Sequence, residues 1–187
     1  IKGANIFQKI IPLAPGKYRL NIVAKDITGG NMNTYEMALD VPQFPEEKLM
    51  GSSLFLADLL EKVPTKSIGT GQFVIGSNKV RPRMNDSFAK NEKMGIYMQF
   101  YNFQPDEKTQ KPNGSVSYEI IKNGSNEKVF EFEEAVDKLP GSSAQVTVEK
   151  ILPLASMESG TYTLTVKAVD KNRNNEAITQ SAAFTIK

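Results

Sequence analysis

The chain has 187 residues, 40% of them hydrophobic and 24% charged, with 23 Lys and Arg against 21 Asp and Glu. That balance describes an ordinary globular protein, and a net charge of +2 is too small to point to a nucleic-acid partner, which takes clustered cations. The sequence has neither cysteine nor histidine, which removes disulfides, thiolate metal centres and the usual general base of Ser and Cys hydrolases and leaves carboxylate, Lys and Tyr chemistry.

The N-terminal "IKGANIFQKIIPLAPGKYR" lacks the basic, apolar and small-residue regions of a signal peptide. A chain that starts at Ile1 without an initiator Met favours a processed product or a fragment with further sequence upstream. No apolar run approaches the roughly 20 residues that cross a bilayer, so no membrane span is expected.

The first element is a strand. Tyr18, Leu20, Ile22 and Ala24 alternate with Lys17, Arg19, Asn21 and Val23, the period of two of a half-buried strand. The turn-rich "DITGGNMN" and a return strand through Tyr35, Met37, Leu39 and Val41 complete a hairpin. The segment "VPQFPEEK", from Val41 to Lys48, then reads as a boundary between units.

Past the boundary, "SLFLADLLEKV" fits neither the helical nor the strand period well and is read as extended. The segments "GQFVIGSNKVRPRM", "KMGIYMQFYNF", "SVSYEIIKNG", "EKVFEFEE" and "AQVTVEKIL" carry β-branched or aromatic alternation between Gly, Pro, Asn and Asp punctuation. Within "IIKNGSNEKVFEF", Asn123 and Gly124 give the strongest hairpin signal, and "FEEAVDKL" suggests a single helical turn. The last hairpin runs from Tyr162, Leu164, Val166 and Ala168 through "DKNRNN" to Ala182, Phe184 and Ile186.

The two end hairpins are copies. Lys9–Ala14 matches Lys150–Ala155 at five of six positions, and Gly16–Asp26 matches Gly160–Asp170 at five of eleven, with an offset of 141 to 144. The spacing Leu-x-x-Gly-x-Tyr is that of a tyrosine corner, in which a phenol hydrogen-bonds nearby backbone in a Greek-key sandwich. Strands without alternating long helices predict an all-β, immunoglobulin-like antiparallel sandwich. It would occupy residues 46–187, after the last strands of a similar domain in residues 1–45. Two strands without the rest of their sandwich leave apolar faces and edges open. Residues 1–45 are therefore expected to pack on the complete domain or to self-associate with another copy.

Several phrases, "SSLFLADLLEKVP", "GTGQFVIGSNKVRPR", "KMGIYMQFYNF" and "LPLASMESGTYTLTVKAVD", resemble the C-terminal region of bacterial GWxTD-domain proteins, best represented in acidobacteria. The resemblance covers residues from Ser52 to the C-terminus. It implies a β-sandwich tail of an exported, periplasmic or envelope-associated protein. The motif that names the family is absent from this sequence, and the resemblance supplies no catalytic residues.

Four groups of residues were weighed as sites. Lys79, Arg81 and Arg83 alternate along "NKVRPRM", a row that would contact an anion or an acidic partner; a solvated edge strand beside Pro82 is the plainer reading. Around them, residues 76–94 carry a local charge of +3, against −3 for residues 127–138. Tyr97 and Tyr101 share one strand face and would stack on sugars if exposed; a strand buried on both faces is the favoured reading. Asp26 and Asp170 end the repeated strands, where a turn cap is favoured over calcium because Lys171 and Arg173 fall among the supposed ligands. Glu131, Glu133 and Glu134 read as the wet face of a strand in preference to an acid/base pair. The sequence thus predicts no catalytic residue, no metal and no cofactor. It favours a non-catalytic spacer or protein-interaction module of a larger exported bacterial protein, whose partners are proteins or neighbouring domains. The alternatives are an accessory domain of an enzyme and a carbohydrate-binding module.

Overall fold

The structure, a computed structural model, describes residues 6–187; residues 1–5 of the leading unit lie outside the described residues. The chain divides into two compact units, Ile1–Pro45 and Glu46–Lys187.

The first unit is a hairpin of β1 (Gly16–Lys25) and β2 (Met32–Val41), paired without interruption from Gly16↔Val41 to Lys25↔Met32. Cross-strand partners share a face, so Tyr18, Leu20 and Ile22 lie with Leu39, Met37 and Tyr35. The other face carries Lys17, Arg19, Lys25, Glu36 and Asp40, with Arg19 3.5 Å from Glu36.

The second unit holds eleven strands: β3 (Met50–Gly51), β4 (Phe55–Lys62), β5 (Val74–Ile75), β6 (Asn78–Pro82), β7 (Ser87–Phe88), β8 (Lys93–Tyr101), β9 (Gly114–Lys122), β10 (Glu127–Ala135), β11 (Gln145–Pro153), β12 (Gly160–Asp170) and β13 (Glu176–Ile186). They form two sheets, one in the order β10-β9-β12-β13-β7 and the other β11-β8-β4-β6-β5, with β3 also on β8. Every pairing is antiparallel except the short β13–β7 contact. One apolar cluster draws Leu56, Met94, Ile96, Met98, Phe100, Val146 and Val148 from one sheet and Val116, Tyr118, Ile120, Leu164, Val166 and Phe184 from the other. The unit is therefore an all-β sandwich with its core between the layers.

Local chemistry explains most elements. The β9–β10 turn spans residues 123–126, where Gly124 (φ 92°) and Asn126 (φ 56°) take positive φ. The expected helical turn is a 3-10 turn, Val136–Lys138, and a second 3-10 turn lies at Thr65–Ser67. The imperfect period of β4 has a physical cause: its register on β6 shifts between Ala57 and Leu59, so an extra residue, Asp58, interrupts the alternation. Leu56 therefore faces the main core, while Ala57 and Leu60 join Phe55, Ile75, Val80 and Tyr97 in a second apolar cluster.

The repeated phrase builds the same local structure twice. The Tyr18 hydroxyl donates to the Ala14 carbonyl at 2.8 Å, and the Tyr162 hydroxyl to the Glu158 carbonyl at 2.8 Å, each four residues back. Gly16 (φ 153°) and Gly160 (φ 154°) open the two strands in a conformation that side chains rarely adopt. Both strands end in an Asx turn, with Thr28 N–H donating to Asp26 Oδ1 at 2.9 Å and Asn172 N–H to Asp170 Oδ1 at 3.1 Å.

Candidate interaction surfaces

The basic row is not free. Arg81 Nε meets Asp58 Oδ1 at 2.5 Å, so the carboxylate extruded by the β4 bulge neutralises it. Arg83 makes a bidentate pair with Glu92, 3.0 Å on each arm, and donates Nε to the Ser87 carbonyl at 2.7 Å. Its guanidinium lies 5.1 Å from the centre of the Phe88 ring, so Arg83 ties β6, β7 and the turn before β8 together. Only Lys79 of the three makes no ion pair among the described residues. Two of the three cations of the row are thus held by carboxylates of the same chain, Asp58 and Glu92.

Tyr97 lies in the second apolar cluster at 2% exposure, and its hydroxyl accepts from Gln99 Nε2 at 3.0 Å. The Tyr101 hydroxyl donates to Gln99 Oε1 at 2.7 Å and is half-buried. Burial pushes both phenols above their ordinary value, and Tyr101 beside Tyr97 adds to the shift there. The two rings are thus one buried and one half-buried, joined through the Gln99 amide, as on a strand covered on both faces.

The carboxylates have structural partners. Glu134 accepts from the Tyr118 hydroxyl at 2.7 Å and from Lys150 Nζ at 2.6 Å. Since β10 and β11 are edge strands of opposite sheets, this pair clasps one open side of the sandwich. Glu131 pairs with Lys128 at 3.0 Å, and Glu133 points from the same edge strand. Asp170 is fully buried, and its second oxygen accepts from Gln104 N–H at 2.7 Å and faces Arg173 Nε at 3.5 Å. Arg173 in turn donates to the carbonyls of Glu47 (2.5 Å) and Asn102 (2.9 Å), with Glu176 3.3 Å from its Nε. The arginine that argued against calcium thus binds the aspartate itself. No group of metal-binding side chains occurs among the described residues, and no described helix is long and apolar enough to cross a membrane.

Two surfaces have open geometry. At the loop end near Arg173, a shallow cleft of about 410 Å³ is lined by Asp106, Lys111, Asn113, Asp137 and Lys171. Hydrogen bonds from Thr109, and from Lys108 N–H, hold the Asp106 carboxyl below its ordinary value, marking it as the anchor of a turn. Sequence reading missed this cleft because its charges come from three separate loops and alternate in sign.

The second is the apolar face of the first hairpin. Tyr18 is 36% exposed, Ile22 48%, Met37 39% and Tyr35 60%. The β12 counterparts of Tyr18 and Ile22, Tyr162 and Val166, are at most 1% exposed. The same two positions of the repeated strand are therefore core in one unit and open in the other. No protein-family model and no curated protein matches the chain.

Proposed function

We propose that the chain is a non-catalytic module of a tandem β-sandwich array, of immunoglobulin-like type, serving as a spacer or protein-interaction domain. One observation carries the reading. The corner, the strand-opening glycine, the hairpin and the Asx turn recur 144 residues apart with the same hydrogen bonds. Duplication of a whole structural phrase at domain spacing supports an array of like domains. The passage of the chain from β8 to β9–β10, back to β11 and again to β12–β13 supports the immunoglobulin-like type. Glu134, Asp170 and Glu92 are held in the clasp, a turn and an ion pair, which favours a role for surfaces and loops. Export to the cell envelope rests on the resemblance of residues 52–187 to the tails of GWxTD-domain proteins.

Sequencing the encoding transcript, with mass spectrometry of the native protein, tests this reading. Further copies of the phrase at a spacing of about 140 residues are expected. A catalytic domain directly adjoining these residues, with no further copy, would overturn it in favour of an enzyme's accessory domain.

A further inference from the structure

The apolar face of the first hairpin has a template for its missing neighbours within the same chain. In the second unit β12 pairs with β13 on one edge and with β9 on the other. Against β9 the register sets Leu164 opposite Ile120, Val166 opposite Tyr118, Ala168 opposite Val116 and Asp170 opposite Gly114. Shifted by 144 residues, the inward positions of β12 become Tyr18, Leu20, Ile22, Ala24 and Asp26, which differ from Tyr162, Leu164, Val166, Ala168 and Asp170 only by Ile for Val. In the two-stranded sheet, the edge of β1 that corresponds to the β9 edge of β12 carries no strand among the described residues.

We infer that β1 takes an added antiparallel strand of the β9 kind, running Gly-x-Val-x-Tyr-x-Ile with its glycine opposite Asp26. The glycine is a specificity element, because a Cβ on Gly114 would lie 2.0 Å from the Val169 carbonyl oxygen, whose counterpart is that of Lys25. The strand's main chain would fill the open edge, and its alternate apolar side chains would extend the face of Leu20, Ile22 and Ala24. Its source is a unit in which β1 itself takes the place of β12, and not β9 of a second copy of these residues. In every copy β9 is already held on both edges, by β10 and β12, and so is not free to give. This inference rests on the array reading above and names the contact that would complete the hairpin's own unit.

The test adds the nonapeptide GSVSYEIIK, the sequence of β9, in excess to the 187-residue chain and follows amide hydrogen exchange. Exchange in β1 and β2 is expected to slow by about tenfold, with the second unit unchanged. A peptide carrying Gly114→Val, and one with Val116, Tyr118 and Ile120 all replaced by Ser, are expected to give no slowing. The inference is overturned by no effect of the first peptide, by equal effects of all three, or by slowing that follows protein concentration without peptide, as for a second copy. It is also overturned if β1 in the free chain is already as protected as β12. If the transcript shows further copies and the peptide fails, strand addition alone falls. If the transcript shows none, the array reading falls whatever the peptide does.

Discussion

Replacing Asp170 by Ala is expected to destabilise the sandwich by about 3 to 5 kcal/mol, which for a domain of this size lowers the melting temperature by about 10 °C or more. Asp170 is fully buried and accepts hydrogen bonds from Gln104 and Asn172. Its loss removes the acceptor of two part-buried backbone N–H groups and leaves Arg173 with Glu176 as its only carboxylate at that end. The strain is not spread evenly, since Arg173 Nε is already buried without a well-directed hydrogen bond, and its attraction to Asp170 is the ionic compensation. Arg173 also holds the carbonyls of Glu47 and Asn102, so the damage reaches the start of the unit and the β8–β9 loop. The matching change Asp26→Ala removes one exposed Asx-turn bond and should leave the melting of the second unit unmoved. Scanning calorimetry of the two variants checks the contrast. Equal melting temperatures for both would mean that the buried hub does not carry the sandwich.

Glu134→Ala is expected to cost about 2 to 4 kcal/mol, because it leaves the buried Tyr118 hydroxyl without an acceptor and opens the clasp to Lys150. Glu134→Gln, which keeps an acceptor for Tyr118, should lose roughly half as much by urea denaturation. The same site predicts an alkaline limit. Burial, then the hydrogen bond to Glu134 and its negative charge, hold the Tyr118 phenol far above its ordinary value of 10.0. In the unfolded chain that phenol ionises near 10, while in the folded chain it keeps its proton. Above pH 10 the folded state therefore binds more protons, and stability falls by about 1.4 kcal/mol per pH unit for this group. Below pH 10 it contributes no slope. Tyr118→Phe should flatten the decline between pH 10 and 11, and an unchanged slope in that variant would refute the assignment.

The strands were legible where one face meets the core and the other meets water. Tyr162, Leu164, Val166 and Ala168 alternate cleanly because every second position is buried. Alternation failed in β4 because the bulge at Asp58 shifts its parity, so that Ala57 and Leu60, three residues apart, face the same cluster. Neither β3 nor β7 was legible, since a two-residue strand has no period, and β7 exists through its parallel contact with the end of β13. Among the site residues, the turn role of Asp26 and Asp170 was local and therefore readable. The fate of Arg81 and Arg83 was not, because Asp58 and Glu92 reach them only through the fold. Tyr97 was ambiguous for a related reason: β8 is a central strand with apolar residues on both sides, and only the structure shows both sides covered.

Site-resolved amide exchange of the whole chain tests the central claim most directly, that one structural phrase is built twice and closed only once. The amides of β12 should exchange only through global unfolding, whereas an open two-stranded hairpin is marginal, so β1 should exchange at least about a thousandfold faster. Both copies should nonetheless show the slowed hydroxyl exchange of a corner tyrosine, at Tyr18 and at Tyr162. Equal amide protection in β1 and β12 would contradict the account.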